Sequence, residues 1–357
     1  MKGIVLVGGE GTRLRPLTYT TPKQMLPVAE VSMIERVVAH LSAHGVTDVV
    51  LSLGYRPDAF TAAYPDNRCA GASLTYVVEA QPLDTAGAIR FAATQAGVDG
   101  TFLVFNGDVL TDLDITALVA FHRSHGAEGT ISLTPVEDPS SFGVVPTSAD
   151  DRVEAFIEKP APGTAPTNLI NAGTYVLEPS VLDRIAPEGR VNVERETFPA
   201  MVAAGSLYAM PATGYWLDVG TPERYLASNF DLLSGIRPGP PAPGAVEVSA
   251  GVWTLGAPTV QGKVSGSLIG DGAVVVDGAS VAGAVVGAGA TVGRAAVVAR
   301  SVLLPGAQLG EGAEVTDSIV GPGVRVGAGA QLRDVTMVGA GVTVEAGSHH
   351  AGARLAG

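Results

Sequence analysis

Three glycines and two cations stand close together near the start of the chain. Gly8, Gly9 and Gly11 follow a short apolar run, and Arg13 and Lys23 come soon after them. Glycines, which lack a Cβ, let backbone N–H groups approach an anion closely. A guanidinium offers a planar fork of donors that fits phosphate oxygens, and a lysine adds a compact second charge. The combination indicates binding of a polyphosphate whose charge must be neutralised before attack.

The spacing of these glycines excludes two common phosphate loops. The segment has neither the Gly-x-Gly-x-x-Gly spacing of dinucleotide-binding loops nor the Gly-Lys-Ser/Thr step of nucleotide-hydrolase loops. For the glycine triplet alone, the alternative is a plain turn beside surface basic residues. Arg13, Pro16 and the run Pro22-Lys23-Gln24-Met25-Leu26-Pro27 argue against that alternative.

Two aspartates lie in glycine-containing turns farther along the chain. Asp108 ends the run Phe105-Asn106-Gly107-Asp108, and Asp218 lies in Trp216-Leu217-Asp218-Val219-Gly220. Two carboxylates, phosphate oxygens and water can complete the octahedral oxygen shell that Mg²⁺ prefers. Taken alone, each aspartate is more typical of a turn or a helix cap, and both interpretations stay open here.

The elements that must position these groups alternate between strand and helix patterns. Strands are predicted at 4–7, 49–53, 75–78 and 102–105, and helices at 33–44 and 85–96. This βαβ rhythm predicts an α/β, Rossmann-like, doubly wound sheet whose strands are mostly parallel. Ligands bind such sheets beyond the carboxyl ends of the strands. The Gly8 turn and Asp108 both fall at such ends.

The sequence pattern changes after a Pro/Gly-rich stretch. We predict a first domain over residues 1–235, a linker over 236–247 and a second domain over 248–357. In the second domain apolar residues recur in sets that start 17 positions apart. The sets are Ile269, Val275, Val281; Val286, Val292, Val298; Leu303, Leu309, Val315; and Val320, Val326, Leu332. The pattern predicts a three-sided coil with glycine easing its corners, and it resembles the hexapeptide left-handed parallel β-helix. The phase slips by one near Met337, which suggests an irregular last coil.

Composition narrows the function classes. The net charge of −13 disfavours a nucleic-acid binder, although a few focused cations can still hold small anions. Cys69 is the only cysteine, which excludes an internal disulfide and favours a reduced, cytoplasmic setting. We expect no membrane span, and the short apolar start does not read as a secretory leader.

The start of the chain resembles a known family signature. Gly8-Gly9-Glu10-Gly11-Thr12-Arg13-Leu14-Arg15-Pro16-Leu17-Thr18, followed by the Pro22–Pro27 run, is similar to that of the nucleoside-diphosphate-sugar pyrophosphorylases. This family includes mannose-1-phosphate guanylyltransferases and glucose-1-phosphate thymidylyl- and uridylyltransferases, and many members carry the β-helix tail. The resemblance covers essentially the whole chain. It implies an enzyme that joins a sugar-1-phosphate to an NTP with Mg²⁺ and releases pyrophosphate.

The resemblance also implies roles for individual residues. The nucleotide-binding residues would be Leu6, Gly8, Gly9, Gly11, Thr12, Arg13, Glu79, Thr85 and Gly87. The sugar-phosphate-binding residues would be Gly143, Glu158, Lys159, Asn171 and Asp218. Arg13, Lys23, Asp108 and Lys159 would be catalytic, and Asp108 and Asp218 would bind the metal.

Glu79 bears on the choice of base. Guanine presents two adjacent donors, N1–H and N2–H₂, and a carboxylate only accepts. Uracil and thymine present one donor beside carbonyl acceptors, which a glutamine matches better, so Glu79 favours GTP and therefore mannose-1-phosphate. A strand-end glutamate that faces water is the alternative. Asp84 stands where the family usually has glycine, and it either alters the pocket or caps the following helix.

Three other functions stay open. One is thymidylyl or uridylyl transfer to glucose-1-phosphate, and another is a non-catalytic regulatory paralogue. A third, acyl transfer in the coils, would involve His349 and His350, which we expect to be solvated tail residues. Because the open ends of β-helix coils bury little surface, a homo-oligomer is predicted.

Overall fold

Helices and strands occur together as far as Leu233, and only strands follow it. The computed structural model describes residues 1–357. The helices are α1 (Met33–Ala43), α2 (Asp58–Ala63), α3 (Asp84–Gln95), α4 (Ile115–His125), α5 (Phe198–Ala203) and α6 (Pro222–Leu233). The strands among them are β1 (Lys2–Val7), β2 (Pro27–Val28), β3 (Val31–Ser32), β4 (Asp48–Leu53), β5 (Arg68–Cys69), β6 (Ala72–Val78), β7 (Phe102–Asn106), β8 (Val109–Thr111), β9 (Gly129–Pro135), β10 (Gly143–Val144), β11 (Ile157–Glu158), β12 (Leu169–Leu177), β13 (Leu207–Pro211) and β14 (Trp216–Asp218). No helix is long and apolar enough to cross a membrane.

Two units are built from separate stretches of the chain. Met1–Gly9 with Ile34–Trp216 form the first unit, and Glu10–Met33 with Leu217–Gly357 form the second. The domain boundaries expected at residues 235 and 247 stay a prediction.

A ten-stranded sheet forms the framework of the first unit. Its main order is β11-β10-β12-β7-β1-β4-β6-β5, and β9 pairs with both β12 and β13. The four central strands β7, β1, β4 and β6 run parallel to one another. Antiparallel strands flank them, beginning with β12 on one side and β5 on the other. The parallel centre is the part that the βαβ rhythm predicts, whereas most of the antiparallel part comes from residues after 108.

Helices cover both faces of this sheet, as the doubly wound prediction requires. Ile4 of β1 lies in a buried apolar cluster with Ile89 and Ala92 of α3. Its neighbour Gly3 points to the opposite face because side chains alternate along a strand. A Cβ added there would lie 3.7 Å from Cδ1 of Leu41 in α1. The Rossmann-like fold is therefore confirmed.

Most of the second unit is a parallel β-helix. Its strands are β15 (Val246–Ser249), β16 (Val252–Thr254), β17 (Thr259–Val260), β18 (Lys263–Ser265), β19 (Leu268–Ile269), β20 (Val274–Val275), β21 (Ser280–Ala282), β22 (Val285–Val286), β23 (Thr291–Val292), β24 (Val297–Ala299), β25 (Val302–Leu303), β26 (Gln308–Leu309), β27 (Glu314–Thr316), β28 (Ile319–Val320), β29 (Arg325–Val326), β30 (Gln331–Arg333), β31 (Met337–Val338), β32 (Thr343–Val344), β33 (His349–Ala351) and β34 (Arg354–Leu355). They form one eight-stranded and two six-stranded sheets. Successive coils pair in parallel at a 17-residue step, as Leu268 with Val285 and Val285 with Val302.

The inward positions of the coils are those that the repeat predicts. All twelve apolar residues of the four sets are buried, with at most 3% of any one exposed. The slip near Met337 is also confirmed, because Ile319 pairs with Met337 at a step of 18 residues. This stacking is consistent with the predicted left-handed β-helix. His349 and His350 belong to strand β33; His349 is exposed, as expected, whereas His350 is half-buried opposite Leu332, so the expectation of a solvated side chain holds only for His349.

Glycines in the coils serve two purposes, of which the sequence indicated only one. At Gly287, directly after an apolar position, a Cβ would lie 2.7 Å from the carbonyl oxygen of Leu303 in the next coil. This glycine is required by stacking and not by its own backbone angles. Gly289 has a φ of +65° and open space around it, so it is the residue that eases the corner.

We predict that Gly287→Ala destabilises the β-helix more than Gly289→Asn. The added methyl at position 287 must displace the next coil, which costs about 1–3 kcal/mol by overpacking. Asparagine tolerates the left-handed conformation better than most residues. Urea unfolding followed by far-UV circular dichroism should show a lower midpoint for Gly287→Ala, and equal midpoints for the two variants would contradict the stacking argument.

Candidate active site

The carboxyl ends of the four parallel strands bring the predicted residues of the first unit together. Gly8 follows β1, Gly54 follows β4, Glu79 follows β6, and Asp108 lies just after β7. The chain runs from β1 outward through β4 to β6 and then returns to β7 on the other side of β1. Strand order thus reverses at β1, and this reversal creates the crevice in which open α/β sheets bind ligands.

Backbone at this edge is packed so closely that side chains are excluded. A Cβ on Gly54 would lie 3.0 Å from the carbonyl oxygen of Gly8. A Cβ on Gly107 would lie 2.8 Å from the carbonyl oxygen of Leu6, which accepts a hydrogen bond from the Gly107 N–H at 3.0 Å. By contrast, a Cβ on Gly9 would have nothing within 4 Å. Close contacts therefore hold the backbone of the turn after β1 at Leu6 and Gly8, whereas the space beside Gly9 is open.

Glu79 is a half-buried acceptor held by two donors. Its Oε1 accepts a hydrogen bond from Ser52 Oγ at 3.2 Å, and its Oε2 accepts one from the Leu83 N–H at 3.0 Å. A Cβ on Gly8 would lie 3.7 Å from the same Oε1. The carboxylate thus lies beside the glycine turn, and each oxygen keeps lone-pair capacity for a further donor. Glu79 is not a side chain extended freely into water.

Asp84 occupies a backbone conformation that glycine would adopt without strain. Its φ is +61°, in the left-handed region that aspartate tolerates better than most residues. Its Oδ1 accepts hydrogen bonds from the Thr85 N–H at 2.8 Å and from Asn192 Nδ2 at 3.1 Å. Asp84 is the first residue of α3 and not its cap, since Leu83 is the N-cap and no side chain caps the helix, so the capping interpretation is wrong.

Thr85 and Gly87 both contact the segment that precedes α5. Thr85 Oγ1 accepts a hydrogen bond from the Val193 N–H at 2.9 Å. The Gly87 N–H donates to the Val191 carbonyl at 3.2 Å, and a Cβ there would lie 2.9 Å from Leu83 Cβ. These contacts hold the loop that follows Glu79, and the nucleotide-binding role of the two residues stays a prediction.

Lys159 and Glu158 lie at the end of the short strand β11. Lys159 has a φ of +48°, although it is not a glycine, and its N–H donates to the Phe142 carbonyl at 3.0 Å. Its Nζ lies 3.3 Å from Glu158 Oε1, and 62% of the side chain is exposed. Left-handed backbone at such a residue is rare and is often retained at functional sites. The exposed ammonium is available to an anion.

Gly143 faces Glu158 across the β10–β11 pair. A Cβ on Gly143 would lie 2.5 Å from the ring of Phe156 and 3.3 Å from Glu158 Oε2. Only glycine therefore fits between that ring and that carboxylate. The structure thus gathers the predicted residues Gly143, Glu158 and Lys159 at one sheet edge.

Asn171 leads to a residue that the sequence analysis missed. Its Nδ2 donates to Tyr175 Oη and to Glu194 Oε1, both at 2.9 Å, and its Oδ1 accepts from the Gly173 N–H at 3.0 Å. Burial, followed by the nearby Glu158 carboxylate, raises the pKa of Glu194. In the sequence, Glu194 is one glutamate in a charged run that reads as solvated. A single π-helical turn, Val193–Thr197, contains it, and no local sequence signal predicts that turn.

The second unit contains the residues that follow the glycine turn. Gly11 has a φ of +62°, and a Cβ there would lie 3.0 Å from both Lys23 Cβ and Thr18 Cγ2. Thr18 Oγ1 donates to the Gly11 carbonyl at 2.9 Å. Lys23 is largely buried, with 8% exposed, whereas Thr12 next to Gly11 is exposed. The segment is therefore folded tightly on itself around Gly11.

Arg13 and Asp218 meet at Gly220. A Cβ on Gly220 would lie 2.8 Å from Arg13 Nη2 and 3.0 Å from Asp218 Oδ1. Arg224 also pairs with Asp218, with 3.3 Å between Nη1 and Oδ2. Glycine at position 220 is thus required for the guanidinium and the carboxylate to lie together.

The protein side chains alone do not form a closed metal cage. The structure contains no group of three or more His, Cys, Asp or Glu side chains that could hold a metal ion. Asp108 belongs to the first unit and Asp218 to the second. Carboxylate oxygens are the ligands that hard divalent cations prefer, and the metal-binding role of each aspartate stays a prediction.

Two family models match the chain. The model described as nucleotidyl transferase matches residues 2–235, and the model described as GMPPB C-terminal domain matches residues 263–354. The chain belongs to the nucleotidyl transferase family. The glycine turn, Glu79, Asp108 and Lys159 all fall within the first match.

Curated and solved relatives agree with this membership. A mannose-1-phosphate guanylyltransferase of Mycobacterium tuberculosis is 44% identical over 295 residues, which are 78% of this chain and 80% of that protein. A mannose-1-phosphate guanyltransferase of Schizosaccharomyces pombe is 44% identical over 241 residues, 66% of each protein. Crystalline HddC from Yersinia pseudotuberculosis, complexed with GMP-PN, is 28% identical with a TM-score of 0.56, covering 64% of this chain and 97% of that one.

The raised pKa of Glu194 predicts a pH-dependent stability difference. A carboxyl whose folded-state pKa lies above its unfolded value contributes stability below the unfolded pKa and loses that contribution as pH rises through the folded one. The stability of Glu194→Gln should therefore increase relative to wild type across that interval and stay constant above it. Urea midpoints measured at stepped pH provide the test. Glu188→Gln, at an exposed position, is the control, and parallel curves for wild type and Glu194→Gln would contradict the prediction.

Proposed function

We propose that the chain transfers the guanylyl group of GTP to mannose-1-phosphate, forming GDP-mannose and releasing pyrophosphate. The observation that carries the base assignment is the anchored carboxylate of Glu79 beside the glycine turn. The names of the relatives from Mycobacterium and Schizosaccharomyces support the sugar and the nucleotide. The guanine nucleotide analogue in HddC supports the base.

The recognition of guanine follows from which groups can donate. Ser52 and Leu83 each donate a hydrogen bond to one oxygen of Glu79, and these two bonds fix the orientation of the carboxylate. The remaining acceptor capacity faces two adjacent donors if the base is guanine, but only one if it is uracil or thymine. A site that leaves a buried acceptor unpaired discriminates strongly against the wrong ligand.

The sugar phosphate is assigned to the residues around Lys159. The exposed ammonium neutralises the phosphate, and Glu158 accepts hydrogen bonds from sugar hydroxyls. Asn171 and the newly identified Glu194 form a hydrogen-bonded pair whose remaining oxygen lone pairs can accept from further hydroxyls. Gly143 keeps this edge open, because a larger residue would displace Phe156.

The reaction itself needs positioning and charge neutralisation more than covalent chemistry. A sugar-phosphate oxygen attacks the α-phosphorus of GTP in line with the departing pyrophosphate. Arg13 and Lys23 hold the pyrophosphate oxygens, and Lys159 orients the attacking phosphate. Asp108 and Asp218 would hold Mg²⁺, which supplies charge neutralisation on the phosphate oxygens when bound.

We predict that Glu79→Gln shifts the base preference. The glutamine oxygen must accept from the Leu83 N–H, so the amide NH₂ faces Ser52, whose hydroxyl can turn to accept. One acceptor for guanine is thereby lost, and kcat/KM for GTP should fall about tenfold to a hundredfold relative to UTP and dTTP. Pyrophosphate release with a panel of NTPs measures the effect.

Ser52→Ala is the matched control, because it removes one anchor and leaves the carboxylate. An unchanged preference in Glu79→Gln would remove the base argument. Faster turnover of wild type with UTP or dTTP and glucose-1-phosphate would instead identify a uridylyl- or thymidylyltransferase. No release of pyrophosphate with any NTP would identify a non-catalytic paralogue.

We predict that Asp108→Asn reduces turnover by more than a hundredfold, about 3 kcal/mol of transition-state stabilisation. The amide keeps the size of the side chain but loses the charge that a divalent cation needs. Chelation of metal from the wild-type enzyme should abolish pyrophosphate release, and added Mg²⁺ should restore it.

Asp99→Asn, at an exposed position of the same unit, is the control for a lost negative charge. Thermal unfolding of both variants checks that the fold is intact. Near-normal Mg²⁺-dependent activity in Asp108→Asn would exclude the metal role of Asp108.

A further inference from the structure

The hairpin between β2 and β3 has an unusual turn. Ala29 and Glu30 have φ values of +46° and +69°, so both turn residues are left-handed although neither is glycine. Two-residue turns of this kind ordinarily contain Asn-Gly or Gly-Gly, since other side chains are strained there. Such strain persists only where surrounding contacts hold it, and it often marks a function.

Helix α6 holds one side of this turn. The Tyr225 hydroxyl donates to the Pro27 carbonyl, and Asn229 Oδ1 accepts from the Ala29 N–H at 2.7 Å. Tyr225 and Asn229 are themselves buried. The backbone of the turn is therefore fixed in place before the Glu30 side chain is considered.

The Glu30 carboxylate contacts the β-helix. Its Oε2 accepts a hydrogen bond from the Ala288 N–H at 2.9 Å, and a Cβ on Gly270 would lie 2.9 Å from the same oxygen. Burial raises the pKa of Glu30, and the bond from Ala288 partly opposes that shift. The carboxylate thus lies against two successive coils at the same corner.

The sequence shows why this corner needs a partner. The residues in register with Ala288 in the next two coils are Pro305 and Pro322, which have no N–H. Ala288 is half-buried and retains its N–H, and a backbone donor that is removed from water must find an acceptor. Of these three corner residues only Ala288 has an N–H, and Glu30 supplies the acceptor for it.

A second contact holds the other end of the same stretch. A Cβ on Gly339 would lie 3.2 Å from Pro16 Cβ, so Pro16 packs against a later coil. Between Pro16 and Glu30 the chain is folded tightly, because Gly11 lies against both Thr18 and Lys23. Residues 10–33, here called the cation segment because they contain Arg13 and Lys23, therefore form one compact segment.

We propose that Glu30 is a positioning residue that fixes the cation segment on the β-helix and so makes the β-helix part of the polyphosphate-binding machinery. The link to polyphosphate rests on the proposed function, whereas the link to the β-helix does not. Glu30 touches no substrate in this proposal; it acts through the placement of Arg13 and Lys23.

Substitutions at position 30 separate the side chain from the backbone. Glu30→Gly relieves the left-handed backbone and removes the acceptor, whereas Glu30→Gln keeps an acceptor of the same reach. We expect Glu30→Gly to weaken GTP binding in the presence of Mg²⁺ about tenfold, the size of one hydrogen bond to a charged group, with KM for mannose-1-phosphate unchanged. Glu30→Gln should restore most of the affinity.

Substitutions at position 288 break the same contact from the other side. Ala288→Pro places at this corner the residue that the next two coils already have, and it removes the donor. Ala288→Gly keeps the N–H and is the matched control. Glu30→Gly and Ala288→Pro together should weaken GTP binding no more than either alone, because both remove one interaction.

Hydrogen exchange supplies a readout that does not depend on nucleotide. The amides of Leu14 and Leu26 bond within the cation segment, and they should exchange faster in Glu30→Gly and Ala288→Pro than in wild type or the two controls. Unchanged exchange and unchanged GTP affinity in both variants would overturn the proposal. Faster exchange in an enzyme whose wild type binds no nucleotide would retain the contact and refute the proposed function instead.

Discussion

The candidate site depends on how closely the backbone after β1 approaches its neighbours. Gly54 and Gly107, after β4 and β7, leave no room for a side chain against the end of β1 and the turn that follows it. This crowding sets the position of the Leu6 carbonyl and of the turn that continues into Gly9. Glu79 and Asp108 flank the same turn because β6 and β7 end at the same sheet edge. A single methyl group at Gly54 or Gly107 would displace atoms at the end of β1 or in the turn that follows it.

Left-handed backbone occurs at three charged residues that are central to the site and to its attachment to the β-helix. Asp84, Lys159 and Glu30 all have positive φ without being glycine, at a cost of about 1–2 kcal/mol each. Each is held by specific hydrogen bonds: Asp84 to Asn192, Lys159 to the Phe142 carbonyl, and Glu30 to Ala288. Strain at these positions is therefore offset locally, and it fixes the direction in which three charged groups point.

How far the sequence predicts the molecule depends on the range of the interactions involved. Short apolar runs and the six-residue spacing of the repeat are local patterns, so β1, β4, β6, β7 and the coils were all predictable. The glycine turn was singled out from its residue types, and Glu79 from the family resemblance; the binding roles of both stay predictions. Glu194 and Glu30 were not identified, since their partners lie 23 and 258 residues away along the chain. The antiparallel strands after residue 108 were missed for the same reason, because their pairing is set by tertiary contacts.

The two contacts of residues 10–33 with the coils have a consequence for how this architecture can vary. Ala288 and Gly339 lie three coil steps apart along the β-helix axis, about 14 Å at the usual spacing between neighbouring strands. Loss or gain of a coil between them would change that separation by a whole step and release one contact. Coils beyond Val344 face no such restriction. Length variation in this tail should therefore accumulate at its distal end, and the interior coil number should behave as a fixed dimension of the enzyme.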